Sequence, residues 1–355
     1  MPTAALAFAA AVAATAPGKI DLALEGAIAK GFAGEVLVTD PVAVTYSRAV
    51  SATGRPHKRG ELWRWASVTK QLTATLTMQA VSAGRLSLDD TVGARLRAFK
   101  GPSANRVTIR MLLRHTSGLP NPDDTAAATE RDFPAFYRRT RSGAGGAADA
   151  LGYCAGPAKG PPGEAFAYNN CDFIVLGAIL ERATGKPYAL LARDALARPN
   201  GLATLRIATK ATDQRALVKG VMEDGSPEPP FNLATFGAAG AAYGSSDDLA
   251  RFDRALLNGT LLDKAATAAS WAGEPKLGYV ALGVWSFPAP LKGCEGPVKL
   301  VERRGEIGGV EVRNLLAPER KLALIVFADR AGIDFGEIWQ GKGLTYDLAS
   351  AAFCG

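Results

Sequence analysis

The amino-acid sequence predicts an α/β (α+β) fold: an antiparallel sheet flanked by helices, built from both chain ends and interrupted by an inserted, mostly helical domain. Three observations carry this expectation. Short β-branched runs, GEVLVTD and VAVTY, lie between Gly34 and Tyr46 with Pro41 separating them, the pattern of two strands and a turn. Alternating or apolar runs return in the last third, at 279–287, 298–303, 309–316 and 321–328. Between these ends, residues 108–230 mix helical segments with Pro-, Gly- and Ala-rich loops and show no clear strand pair. The expected division is 17–100 with 235–355 for the α/β domain and 101–234 for the mostly helical domain, with a cleft between them as the natural place for a site.

Taken in order, residues 1–16 are almost only Ala, Val, Leu, Phe and Thr, the apolar part of a secretory signal segment, although no Lys or Arg precedes the run. A periplasmic or secreted protein is expected. No run approaches the ~20 apolar residues of a spanning helix, so no stable membrane span is expected. After Leu62–Ser67, the apolar-rich stretch up to Ala83 reads as a largely buried helix stopped by Gly84. Further helices are expected at 108–114, 171–184 and 187–196, and 245–248 (SSDD) reads as a helix start. Pro318-Glu319-Arg320 reads as a hairpin turn, and a final helix over 335–353 would cover the sheet.

Composition excludes several function classes. The 355 residues are 48% hydrophobic and 21% charged, enough for a large core. The net charge of +7 is spread without a dense basic block, which argues against nucleic acid as partner and leaves a small molecule or peptide. Two histidines without H-E-x-x-H, and four cysteines without C-x-x-C, give no metal site, and no cofactor is required. Sequence proximity favours Cys154 with Cys171 and Cys294 with Cys354, buried free thiols being the alternative. Oligomeric state is not encoded in any visible seam.

The sharpest chemical signal is Ser67-Val68-Thr69-Lys70. Residues three apart at a helix start share a face, so the hydroxyl and the amine are adjacent. A serine hydroxyl needs a base, and a lysine desolvated by apolar flanks can be one. S-x-x-K alone is a weak pattern that chance supplies. Tyr168-Asn169-Asn170 follows a Pro-Pro-Gly turn and precedes an amphipathic helix, so that Asn170 would cap the helix while Tyr168 projects from the loop.

Ser67-x-x-Lys70, then Gly84-Arg85-Leu86-Ser87-Leu88-Asp89-Asp90, His115-Thr116-Ser117-Gly118-Leu119-Pro120, Tyr168-Asn169-Asn170 and GAAYGSSDDLARF at 240–252 occur in an order that resembles the class C β-lactamase and penicillin-binding-protein-like serine hydrolases. The resemblance covers the chain from about residue 30 and implies a β-lactamase/transpeptidase-like fold. It implies Ser67 as acylated nucleophile, Lys70 and Tyr168 as its proton-handling partners with the split between them open, and Asn170 as a substrate-positioning residue. The family's third element, Lys-Thr-Gly or His-x-Gly on a strand, has no match here. Its nearest candidate is Arg303-Arg304-Gly305, with Arg303 as a substrate-binding cation, and the backbone N–H groups of Ser67 and Glu306 as the oxyanion hole. The implied activity is hydrolysis of a small carboxylic ester, a D-amino-acid peptide or a β-lactam. His115 reads as structural, and His57 as a loop residue without a partner. Trp63 and Trp65 read as core or cleft wall. Two other readings stand beside this one: a catalytically weak scaffold that binds or senses peptidoglycan-like or β-lactam ligands, and a hydrolase using a different triad.

Overall fold

The computed structural model describes residues 18–52, 54–139 and 146–355; the expected signal segment lies outside them. The strands are β1 (Gly34–Thr39), β2 (Val44–Val50), β3 (Trp63–Arg64), β4 (Arg206–Ile207), β5 (Ala242–Gly244), β6 (Trp285–Ala289), β7 (Val298–Ile307), β8 (Val310–Ala317) and β9 (Leu322–Ala328). Six form one antiparallel sheet in the order β2-β1-β9-β8-β7-β6. The N-terminal hairpin docks on the last strand, from Gly34 opposite Ala328 to Thr39 opposite Ala323, so the two chain ends share one sheet.

The period-two alternation of strand side chains assigns each sheet face its core. Val36, Val38, Leu324 and Val326 point to one side, where the Lys19–Ile28 and Leu344–Cys354 helices bring Leu24, Leu348 and Phe353. Leu37, Ile325, Phe327 and Val312 point to the other, into the larger core shared with the Thr69–Ser82, Cys171–Thr184 and Ser246–Leu257 helices. Ser245 caps the last of these by accepting from Asp248 N. Trp63 and Trp65 are fully buried. Both expected cystine pairs are present, Cys154–Cys171 and Cys294–Cys354. No helix among the described residues is long and apolar enough to cross a membrane.

Among the described residues no strand pair lies within 108–230; its strand β4 pairs with β5, which pairs with β3, in a second sheet of three strands. Three expectations are corrected. The strand expected at 279–287 forms only from Trp285, because Gly278 and Gly283 adopt left-handed φ values of +66° and +78° and fold 279–284 into tight turns. The final helix starts at Leu344, since Gly336, Gly341 and Gly343 all have positive φ. His57 is not without partners. Its ring lies between Glu61 Oε2 at 2.7 Å and Asp329 Oδ2 at 3.0 Å, the latter at the end of β9 and invisible to local sequence.

Candidate active site

Ala66, at a left-handed φ of +45°, turns the chain from β3 into the Ala66–Val68 turn that opens the Thr69–Ser82 helix. This non-glycine strain is held by hydrogen bonds to β5: Trp65 N donates to Ala242 O at 2.9 Å, and Ala242 N donates to Thr69 Oγ1 at 3.0 Å. The turn sets Ser67 at the helix start with Lys70 one turn later, Nζ 3.0 Å from Ser67 Oγ. Lys70 is fully buried, and its other two neighbours, Asn170 Oδ1 at 2.7 Å and Ala239 O at 2.9 Å, are both acceptors. Burial first, and the nearby Arg303 cation second, push its pKa well below the usual lysine value, against the pull of Asp123 and Asp172. In the neutral amine two N–H groups satisfy those two acceptors, and the lone pair is left for the Ser67 hydroxyl.

Tyr168 Oη lies 2.6 Å from Ser67 Oγ and accepts from Arg303 Nη2 at 3.0 Å. Burial raises the phenol's pKa, opposed by Arg303 and Ser67, so it is protonated at neutral pH. Its ring centroid is 4.5 Å from that of His115, whose Nδ1 is 3.0 Å from Asp172 Oδ2. Burial drives the His115 pKa down and the Asp172 pKa up, each toward its uncharged form, in a fully buried pair behind Tyr168.

Arg303, on β7, is buried with its face over Trp285. Its Nε donates to Ser67 O at 2.9 Å, and its Nη1 reaches Gly283 O at 3.5 Å. Three of its five N–H groups are thereby engaged with the protein. Two positions further on, Gly305 lies against the Ser67 turn. Beyond Glu302, β7 has no strand paired on its β6 side among the described residues, so Arg303 to Ile307 edge the cleft there. That cleft, of about 500 Å³, is lined by Ser67, Tyr168, Asn170, Arg303 and Glu306 together with Asp123.

The Beta-lactamase family model matches residues 10–339. The chain belongs to that family. It is a serine hydrolase. A curated relative is the Escherichia coli D-alanyl-D-alanine-carboxypeptidase/endopeptidase AmpH, 27% identical over 76% of this chain and 71% of its own. Another is the esterase EstB of Burkholderia gladioli, 30% identical over 50% of this chain and 45% of its own. Among solved structures, a D-stereospecific amidohydrolase from Streptomyces superposes with a TM-score of 0.73 at 23% identity, covering 95% of this chain and 98% of that one, a likeness of fold.

In this member of the Beta-lactamase family, Asn170 departs from the expected cap. It stands at the N-cap position of the Cys171–Thr184 helix with a helical backbone, and its side chain caps nothing. Oδ1 accepts from Lys70 while Nδ2 donates to Tyr137 Oη at 2.7 Å and Asp123 Oδ1 at 3.1 Å. Tyr137 in turn donates to Asp123, so the two fix which end of the amide faces Lys70. Sequence reasoning missed both residues. Asp123 follows closely on the HTSGLP run, which is a positional hint; Tyr137 lies in a short turn with no pattern of its own.

Proposed function

We propose that the chain hydrolyses an ester or amide through an acyl-enzyme on Ser67, with a small carboxylic ester, a D-amino-acid peptide or a β-lactam as the substrate classes. One observation carries this reading: the Lys70 amine has two fixed acceptors for its protons and the Ser67 hydroxyl as its third neighbour. Ser67 Oγ attacks the carbonyl carbon as its proton passes to Lys70. The tetrahedral oxyanion is held by the backbone N–H groups of Ser67 and Glu306. Collapse breaks the bond to the leaving nitrogen or oxygen, which takes up a proton through the Lys70–Tyr168 pair. Water then attacks the acyl-enzyme, the same pair accepts its proton, and Ser67 leaves with one restored.

Tyr168, a neutral phenol hydrogen-bonded to Ser67 Oγ and held by Arg303, suits proton return better than proton abstraction, which geometry favours at Lys70. Asn170 positions both Lys70 and substrate, and Arg303 faces the cleft as its fixed cation. The helical segment 101–234 supplies Tyr168 and Asn170, and the α/β portion, 17–100 with 235–355, supplies Ser67, Lys70 and Arg303. Two cystines support an extracytoplasmic location.

Intact-mass spectrometry of wild type and Ser67→Ala tests the reading, after exposure to a fluorophosphonate, a labelled penicillin and a p-nitrophenyl ester. A single adduct on wild type, absent from Ser67→Ala, is expected, and the reagent that labels and then turns over narrows the substrate class. An adduct that survives Ser67→Ala points to a different triad; no adduct at all favours a binding or sensor scaffold.

A further inference from the structure

The charges around the cleft are unevenly matched. On the strand side, Arg304 is held between Glu302 and Glu337, and Arg313 by Glu311. Arg303 is engaged with Ser67, Gly283 and Tyr168. Two carboxylates lining the same cleft, Asp123 and Glu306, are exposed and have no ion-pair partner among the described residues. Asp123 is also oriented. Its Oδ1 accepts from Tyr137 Oη and Asn170 Nδ2, and its Oδ2 accepts from Asn121 Nδ2 at 3.2 Å. An ionised carboxylate offers about four lone-pair directions, so three are used and one on Oδ2 is open to the cleft.

We infer that Asp123 selects substrates whose acyl group carries an ammonium, so that this cleft prefers cationic acyl groups to neutral ones and disfavours carboxylates. The inference rests on the hydrolase reading above. The departing atom must lie within reach of the Tyr168 hydroxyl. The acyl group then runs to the other side of Lys70, along Asn170 toward Asp123. An ammonium there meets a carboxylate already fixed by three hydrogen bonds, which lowers the ordering cost of the contact. A carboxylate on the same acyl group would face Asp123 and be repelled by it.

The test is a charge series at constant leaving group: alanine p-nitroanilide, its N-acetyl form and its N-succinyl form, in both enantiomers, at pH 6.5 where the free amine is an ammonium. Each compound is read twice, as kcat/KM and as protection of Ser67 from fluorophosphonate labelling. Wild type is expected to favour the free amine over the acetyl form by roughly tenfold or more, with the succinyl form last. Asp123→Asn keeps acceptors for Tyr137 and Asn170. It should cut the ratio of free amine to acetyl by roughly tenfold, whatever it does to each rate. Taking the ratio removes any general loss of catalysis. A flat or reversed order in wild type, or a ratio unchanged in Asp123→Asn, overturns the inference while labelled Ser67 leaves the hydrolase reading standing. Failure of Ser67 to label in wild type overturns both.

Discussion

Gly305 abuts Ser67 so closely that a Cβ on it would fall 2.9 Å from Ser67 N and 2.8 Å from Trp65 O. Both contacts are backbone, so neither can swing aside. The absence of a side chain at 305 is what lets strand β7 approach the turn that carries the nucleophile. Gly305→Ala must therefore push β7 and the Ser67 turn apart. The expected result is a loss of about 100-fold in kcat/KM, from displacement of the reacting groups, with destabilisation of only about 1–3 kcal/mol. Ester kinetics beside chemical denaturation check it; unaltered kcat/KM would show that β7 does not set the geometry at Ser67.

Ser67 and Lys70 were legible because their relationship is local: a three-residue spacing on a helix guarantees a shared face. Tyr168 was legible only as an ordered motif 101 residues away, since nothing near it in sequence specifies Ser67 as its neighbour. Asp123 and Tyr137 carry no such pattern, and their function is to orient an amide that is itself remote. His57 failed for the same reason, because Asp329 reaches it through the β1–β9 pairing. The alternating strands and the Gly84-terminated helix could be read because core burial imposes a period. Positive-φ glycines at 278 and 283 shortened one strand without breaking its apolar pattern.

Tyr137→Phe tests the amide clamp. Without the hydroxyl, Asn170 Nδ2 keeps only Asp123 as acceptor and Asp123 loses its donor from Tyr137; the lost bond to the amide is worth about 1 kcal/mol. A fall of roughly fivefold in kcat is expected with little change in KM, because the clamp acts on Lys70 through Asn170. An unchanged kcat would mean that Asp123 alone holds the amide.

The Cys154–Cys171 cystine closes a separation of 17 residues at the start of the helix that follows Tyr168 and Asn170. Replacing both cysteines by alanine should cost about 3 kcal/mol in denaturant unfolding, chiefly by freeing the unfolded chain. A variant as stable as wild type would show that packing alone fixes this segment.

Hydrogen bonding to Asp329 first, and to Glu61, raises the His57 pKa above the ordinary histidine value, against the effect of burial. A raised folded-state pKa contributes stability that is complete below the unfolded value near 6.5 and is lost as pH rises through the folded value. The stability gap between wild type and His57→Ala should accordingly be wider at pH 5.5 than at pH 9. Denaturant titrations at the two pH values measure it, and a gap that widened toward pH 9 would contradict the ion-pair account.

Arg303 gives the pH dependence of the reaction a definite sign. Lys70 can take the Ser67 proton only as the neutral amine, so kcat/KM should be high above the Lys70 pKa and fall as pH drops through it. Burial is the first cause of that low pKa and the Arg303 cation the second. Removing the cation in Arg303→Met must let the Lys70 pKa rise, which moves the acid limb of the kcat/KM profile to higher pH. The same change frees Tyr168 Oη of a donor, lowering the plateau without moving the limb downward. Profiles of wild type and Arg303→Met with one neutral ester separate the two effects. A limb that stayed in place, or moved to lower pH, would mean that the group titrating there is not Lys70.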